Sequence, residues 1–256
     1  MYRFRNGFSV KVRQYPIMER KLVAFVGAVF FVSSYFMVRF ASAAPFGSLS
    51  AVFIVFFALP SYVTLVNYAG ARRGLTALLV LSVLPLLVEA FAVWTGFPYG
   101  EFHYSGMLGY MVMGLVPASV SFAYTPILLG AMTVAGRYSY GSLTRFALFS
   151  ALANVSVDLV IDPAAVHTGF WAWTSPGPYY GVPLVNFLGW VVTGFAYSAL
   201  FHVLTGGEGS LPLPSSVSTS LIWILCFWTG YNLLNILLIP GLLGVAEILA
   251  LLRIYE

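Results

Sequence analysis

Charge is scarce in this chain. Only 8% of its 256 residues are Asp, Glu, Lys or Arg, against the roughly 25% usual in soluble domains, while 60% are hydrophobic and the mean hydropathy is +0.91. A soluble globular domain is excluded. Cysteine occurs once, at Cys226 inside an apolar run, so disulfide frameworks, zinc sites and iron–sulfur clusters are out of reach. Three histidines are too few for the histidine clusters of membrane di-iron hydroxylases and desaturases. The only lysines are Lys11 and Lys21, which excludes a retinal Schiff-base protein. No metal and no cofactor is expected. The net charge of +4 needs no nucleic-acid partner, because the basic residues stand at the ends of apolar runs.

Long apolar runs are present in abundance. They predict an all-α fold, a polytopic membrane helix bundle of seven spans plus a short C-terminal helix that could form an eighth. The bundle is read as a single integral membrane domain, with 1–21 as a basic cytoplasmic arm and 22–256 as helices. Leu22 to Phe40 is the first run, taken as an uncleaved span although Ala41-Ser42-Ala43 resembles a signal-peptidase site. Leu49 to Ala69 returns the chain to Arg72-Arg73, and Leu75 to Trp94 leads out again. Thr95 to Ser105 reads as a polar, turn-rich loop. Met107 to Ala135 is the fourth span, broken by Pro117 and Pro126. Arg145 opens a fifth that reaches Asp162. Pro163 to Gly181 reads as an outer loop, Val182 to Leu204 as the sixth span and Gly206 to Ser216 as a connector. Ser218 to Leu252 is too long for one span, so the seventh is ended at Ile239, before Pro240-Gly241, and a short helix holding Glu247 follows. On this layout ten of the twelve basic residues face the cytoplasm, with Arg39 and Arg253 as exceptions, and the N-terminus is cytoplasmic.

The same layout gathers Glu89, Glu101, His103, Asp158, Asp162 and His167 toward the non-cytoplasmic half. An ionisable group inside a membrane is expensive unless paired or wetted, so each is a functional candidate. Asp158 and Asp162 are one helical turn apart on one face. Two carboxyl groups that close in apolar surroundings do not both ionise readily, and a carboxylic acid beside a carboxylate is a general acid/base pair. The plain alternative is a helix end at which Asp162 turns into Pro163 and Asp158 pairs with Arg145 or a tyrosine. Around these acids stand Trp171, Trp173, Tyr179, Tyr180 and Trp190, with Trp94, Tyr99 and Tyr104 from the other loop. Such faces can line a polyene pocket or shield a carbocation, and they also serve as ordinary interfacial belts.

An internal echo joins the two acidic span ends. Glu89-Ala-Phe-Ala-Val-Trp-Thr-Gly-Phe97 and Asp162-Pro-Ala-Ala-Val-His-Thr-Gly-Phe170 match at five positions, at a constant offset. Either a parallel internal repeat makes Glu89 and Asp162 symmetry mates, or two apolar helices simply end alike at Gly.

The pattern Glu89…Thr-Gly-Phe-Pro-Tyr-Gly100-x-Phe-x-Tyr104, then Asp158-x-x-x-Asp162-Pro163, Trp171-x-Trp173 and Tyr180-Gly-Val-Pro-x-x-Asn186-Phe-x-Gly-Trp190, resembles the membrane carotenoid hydratases. That family embraces carotenoid 1,2-hydratases and bisanhydrobacterioruberin hydratases and is distantly similar to the membrane lycopene cyclases. The resemblance covers roughly Leu75 to Leu204. It implies cofactor-independent addition of water to the terminal C=C of an acyclic carotenoid, giving a tertiary alcohol. Asp162 or Asp158 would donate the proton, and Glu89 would position or deprotonate the water with help from Asn186 and Tyr104. Glu101, His103, His167, Trp171, Trp173, Tyr179, Tyr180 and Trp190 would complete the substrate site. The partners implied are a carotenoid, water and the bilayer, with a homo-oligomer or an assembly with other carotenoid enzymes left open. Two other readings stand beside it, an end-group cyclase in which an internal double bond captures the cation, and a proton-coupled transporter.

Overall fold

The computed structural model describes residues 2–3, 9–10, 19–40, 46–207 and 212–255. Most of the basic arm, and Ala41-Ser42-Ala43, lie outside the described residues. Two short strands of the arm, β1 (Tyr2–Arg3) and β2 (Ser9–Val10), pair antiparallel.

Eight α-helices follow among the described residues: α1 (Arg20–Phe40), α2 (Phe46–Ala69), α3 (Ala71–Thr95), α4 (Val120–Tyr138), α5 (Leu143–Thr168), α6 (Leu184–Leu204), α7 (Thr219–Leu234) and α8 (Leu238–Ile254). Six of them, α1, α2, α3, α5, α6 and α7 with the turn before it, are long and apolar enough to cross a membrane. This is an all-α, multi-span membrane protein. α4 carries Ser, Thr and Gly among its apolar residues because it faces protein, and every residue from 124 to 133 is buried.

Three boundaries differ from those read off the sequence. The fourth run becomes a helix only at Val120. Residues 107–119 form a 3₁₀ turn (Gly106–Leu108) and the small hairpin of β4 (Met111–Val112) and β5 (Val116–Pro117). Second, α5 does not stop at Asp162 but continues through Pro163 to Thr168. A proline inside a helix leaves the carbonyl four residues earlier without its donor. Here the Tyr179 hydroxyl donates to Leu159 O at 2.9 Å and fills that vacancy. α3 repeats the device, with Pro85 freeing Leu81 O and the Thr125 hydroxyl donating to it at 2.9 Å. Tyr179→Phe is therefore expected to cost about 1 kcal/mol, because the carbonyl it serves is partly buried and loses its donor. The loss should shrink in a Pro163→Ala background, where an amide N–H returns, and thermal melts of the four detergent-solubilised proteins measure this coupling.

Third, the break before the last helix lies at residues 235–237, and Pro240 sits in the first turn of α8, where a missing N–H costs nothing. α8 then runs back along α7. Its C-terminus lies beside the start of α1, Arg137 Nη2 at the end of α4 donates to Ile254 O at 2.8 Å, and the Tyr255 hydroxyl lies 2.8 Å from that of Thr219 at the start of α7. Arg253 thereby joins Arg20 and Lys21 at one end of the bundle and ceases to be an exception. Arg72, Arg73, Arg137 and Arg145 stand at the same end, and of the basic residues on the described helices Arg39 is the one at the other.

The loops after α3 and α5 close over that other end. β3 (Phe102–Tyr104) pairs antiparallel with β6 (Trp171–Trp173), in the register Phe102 to Trp173 and Tyr104 to Trp171. The two echoed helix ends share a left-handed glycine cap, Gly96 at φ 77° and Gly169 at φ 75°. They part at the next residue, since Phe97 is exposed and Phe170 is buried.

Candidate active site

α3 delivers Glu89, α5 delivers Asp158 and Asp162, and the first turn of α6 delivers Asn186. All four are buried, at 6%, 2%, 3% and 2% exposure. The Asn186 side-chain amide donates to both aspartates, 2.8 Å to Asp158 Oδ2 and 2.6 Å to Asp162 Oδ2, so one amide group holds the pair together. Glu89 is held separately, by the Tyr104 hydroxyl at 3.0 Å. Burial first, and then the neighbouring Glu89 carboxyl, raises the Tyr104 phenol well above its usual range, so it stays a donor at any working pH. Glu89 and Asp162 each lie six residues before the end of their helix, about 9 Å deep, and Asp158 about 15 Å. The acids thus sit inside their helices and away from the ends, with Asp158 near mid-helix.

These groups open onto a cavity of about 510 Å³ lined overwhelmingly by apolar and aromatic side chains. Tyr104, Trp171, Trp173, Asn186 and Trp190 line it with the three acids, as does Tyr99. Trp171 lies beside Asp162 and packs edge-on against Tyr104, ring centroids 5.7 Å apart. Trp173 is fixed by its indole N–H, which donates to Tyr99 O at 2.9 Å, and the Tyr99 hydroxyl donates to Thr193 at 3.0 Å. Gly189 lets this loop approach α6, since a Cβ there would stand 2.7 Å from Pro98 O.

Other candidates lie elsewhere. Glu101 and His103 are exposed on the outer side of the β3–β6 pair. His167 is exposed, and its Nδ1 lies 2.9 Å from the Tyr231 hydroxyl, which ties the end of α5 to α7. Tyr179 serves the Leu159 carbonyl, its phenol pushed up to about 12 chiefly by burial, and Tyr180 packs edge-on against it. None of these five lines the cavity. Trp94 is exposed. The walls contributed by α1, α2, α4 and α7, including Phe57, Tyr124 and Trp228, carry no sequence signal that separates them from ordinary core. Tyr124 packs its ring 4.8 Å from Trp190. Among the described residues no three His, Cys, Asp or Glu side chains are arranged to hold a metal ion.

Residues 49–251 match the profile of the family described as Carotenoid biosynthesis protein. The chain belongs to that family. The matched stretch takes in α3 to α7 whole, and with them the three acids, Asn186 and Tyr104. Among curated proteins, this family member is similar to the bisanhydrobacterioruberin hydratase of Haloarcula japonica, 34% identical over 186 residues. The alignment takes in 70% of this chain and spans 62% of that relative's length. No solved structure matches it.

Proposed function

We propose that this protein is a carotenoid hydratase, a hydro-lyase that adds water across the terminal trisubstituted C=C of an acyclic carotenoid without a cofactor. The substrate is of the lycopene type or of the C50 bisanhydrobacterioruberin type. The observation that carries the reading is the split acid arrangement: an aspartate pair bridged by Asn186 and a separate Glu89 held by Tyr104, all buried in one aromatic-walled cavity.

Asp162, or Asp158 through the pair, gives its proton to the less substituted carbon, and the alkene π electrons form the new C–H bond. A tertiary cation is left on the adjacent carbon. A water lone pair closes the C–O bond, Glu89 takes the released proton, and its return to the aspartate pair restores the starting state. One H and one OH are added overall. The indole faces of Trp171 and Trp173 and the Tyr104 ring are the electron-rich surfaces that attract the cation. Proton transfer by a positioned side chain contributes ~10²–10⁴-fold, so the preorganised surroundings supply the larger share of the acceleration.

The bilayer is the surrounding medium and the basic end is the cytoplasmic one, on the strength of the one-sided Arg and Lys distribution. A single domain and an internal repeat relating the ends of α3 and α5 belong to the same reading, the repeat supported by the shared glycine caps and the equal depth of Glu89 and Asp162.

Pigments from a lycopene-producing and a C50-producing host, compared by mass spectrometry with and without the protein, test the activity. The expected result is a gain of one water mass per reacted end in one of the two hosts. An unchanged mass with a shifted absorption spectrum would assign a cyclase instead, and unaltered pigment in both hosts would refute the reading.

A further inference from the structure

We infer that the substrate reaches the acids sideways from the bilayer, through a gap between α1 and α2, and that the unreacted length of the polyene stays in this gap during the reaction. The inference rests on the hydratase reading and adds the route and the part of the ligand that remains outside. α1 packs along α7, and α2 along α3 and α4; among the described residues the two helices are not packed along each other. They meet at Phe30 and Phe57, whose ring centroids are 4.5 Å apart. Above this contact the cavity is bordered by Ser33 and Met37 on one side and Phe53 and Ile54 on the other. These positions lie roughly 5–17 Å from the helix ends, within the depth of the hydrocarbon core. Phe53 is 48% exposed although it lines the cavity, so the same side chain faces both the site and the lipid.

Among the described residues an apolar cap covers the acidic end and leaves a long polyene no way in from that side. Leu108 in the 3₁₀ turn packs with Phe170 and Ala165, and Met37, Ile54 and Met107 lie against them, forming an apolar cap at the acidic end. The Ser105 N–H and hydroxyl both donate to Phe170 O and hold that turn down, the N–H at 2.8 Å. An apolar molecule dissolved in the bilayer has no reason to cross such a cap, while a gap at hydrocarbon depth costs it no change of solvent. A conjugated chain is stiff and cannot fold back inside the cavity. When its end lies at the acids, its body needs a straight apolar way out, which the α1–α2 gap provides.

Closing the gap reversibly tests this. Ser33→Cys and Phe53→Cys, on the two sides of the gap, are introduced together and bridged with a short bifunctional methanethiosulfonate that a reductant cleaves. Turnover is measured on a full-length acyclic carotenoid and on a short acyclic terpene with the same trisubstituted end. The bridged enzyme should convert the full-length substrate at least tenfold more slowly relative to the short one, with recovery on reduction. Ser33→Trp should shift the same ratio in the same direction, and Val32→Trp, facing lipid beside it, should leave the ratio unchanged. Equal losses on both substrates, or no loss on either, would overturn the lateral route. Failure of the unmodified protein to hydrate either substrate would instead overturn the reading on which it rests.

Discussion

Asp162→Asn is expected to lower hydrated product by roughly 10³-fold, with the protein still folded and inserted. Asparagine has the shape of aspartate and keeps an acceptor oxygen for the Asn186 amide now bonded to Asp162 Oδ2, so the bridge between α5 and α6 survives. What disappears is the acidic proton, and no amide can supply one to an alkene carbon. Asp158→Asn is expected to lose activity on a comparable scale, because Asn186 makes the two carboxyls one unit whose members share a proton. Groups that act as a unit are not additive, so the double variant should be no worse than the more damaging single one. Pigment mass spectrometry at matched protein level, with size-exclusion profiles in detergent to verify folding, measures all three. Hydrated product at wild-type level from Asp162→Asn would remove that residue from the acid role.

Glu89→Gln is expected to cost about 10²-fold, because a water bound to an amide loses no proton to it. Glu89 faces the cavity on α3, opposite the aspartates, and its hydrogen bond comes from Tyr104 on the β3 loop. Tyr104→Phe keeps the ring, with its contacts to Trp171 and Phe102, and removes only the hydroxyl, so a smaller loss of about tenfold is expected. If the hydroxyl acts by holding Glu89, the double variant should match Glu89→Gln within a factor of about three. Losses that multiplied would mean that Tyr104 touches the substrate independently of Glu89.

The membrane class, the order of the helices and the three acids are legible in the residues, because apolar runs and isolated intramembrane carboxyls are rare enough to stand out. Asn186, Tyr104, Trp171, Trp173 and Trp190 are also legible through the motif. The errors have a common origin. Pro163 reads as a helix stop because a proline withholds an N–H, and a linear reading does not show that Tyr179, sixteen residues on, comes back to the orphaned carbonyl. The same blindness makes Tyr179 look like a substrate residue. Glu101, His103 and His167 look like site residues because they lie near Glu89 and Asp162 along the chain, yet one step along a strand reverses the face. His103 points away where Phe102 and Tyr104 point in.

Composition points this chain to a membrane, because 60% hydrophobic residues with 8% charge suit no aqueous core, and apolar runs of about twenty residues make the spans helices. Spacing alone dictates that Asp158 and Asp162 share a helix face. Only the packing of distant helices brings Glu89 to them, lets one Asn186 amide bridge both aspartates, and sends α8 back to the basic end. Packing also sets α1 against α7 and α2 against α3 and α4 and not along each other, among the described residues. These are relations between segments far apart in the chain, set by which surfaces meet when the helices assemble, and no local pattern of residues encodes them.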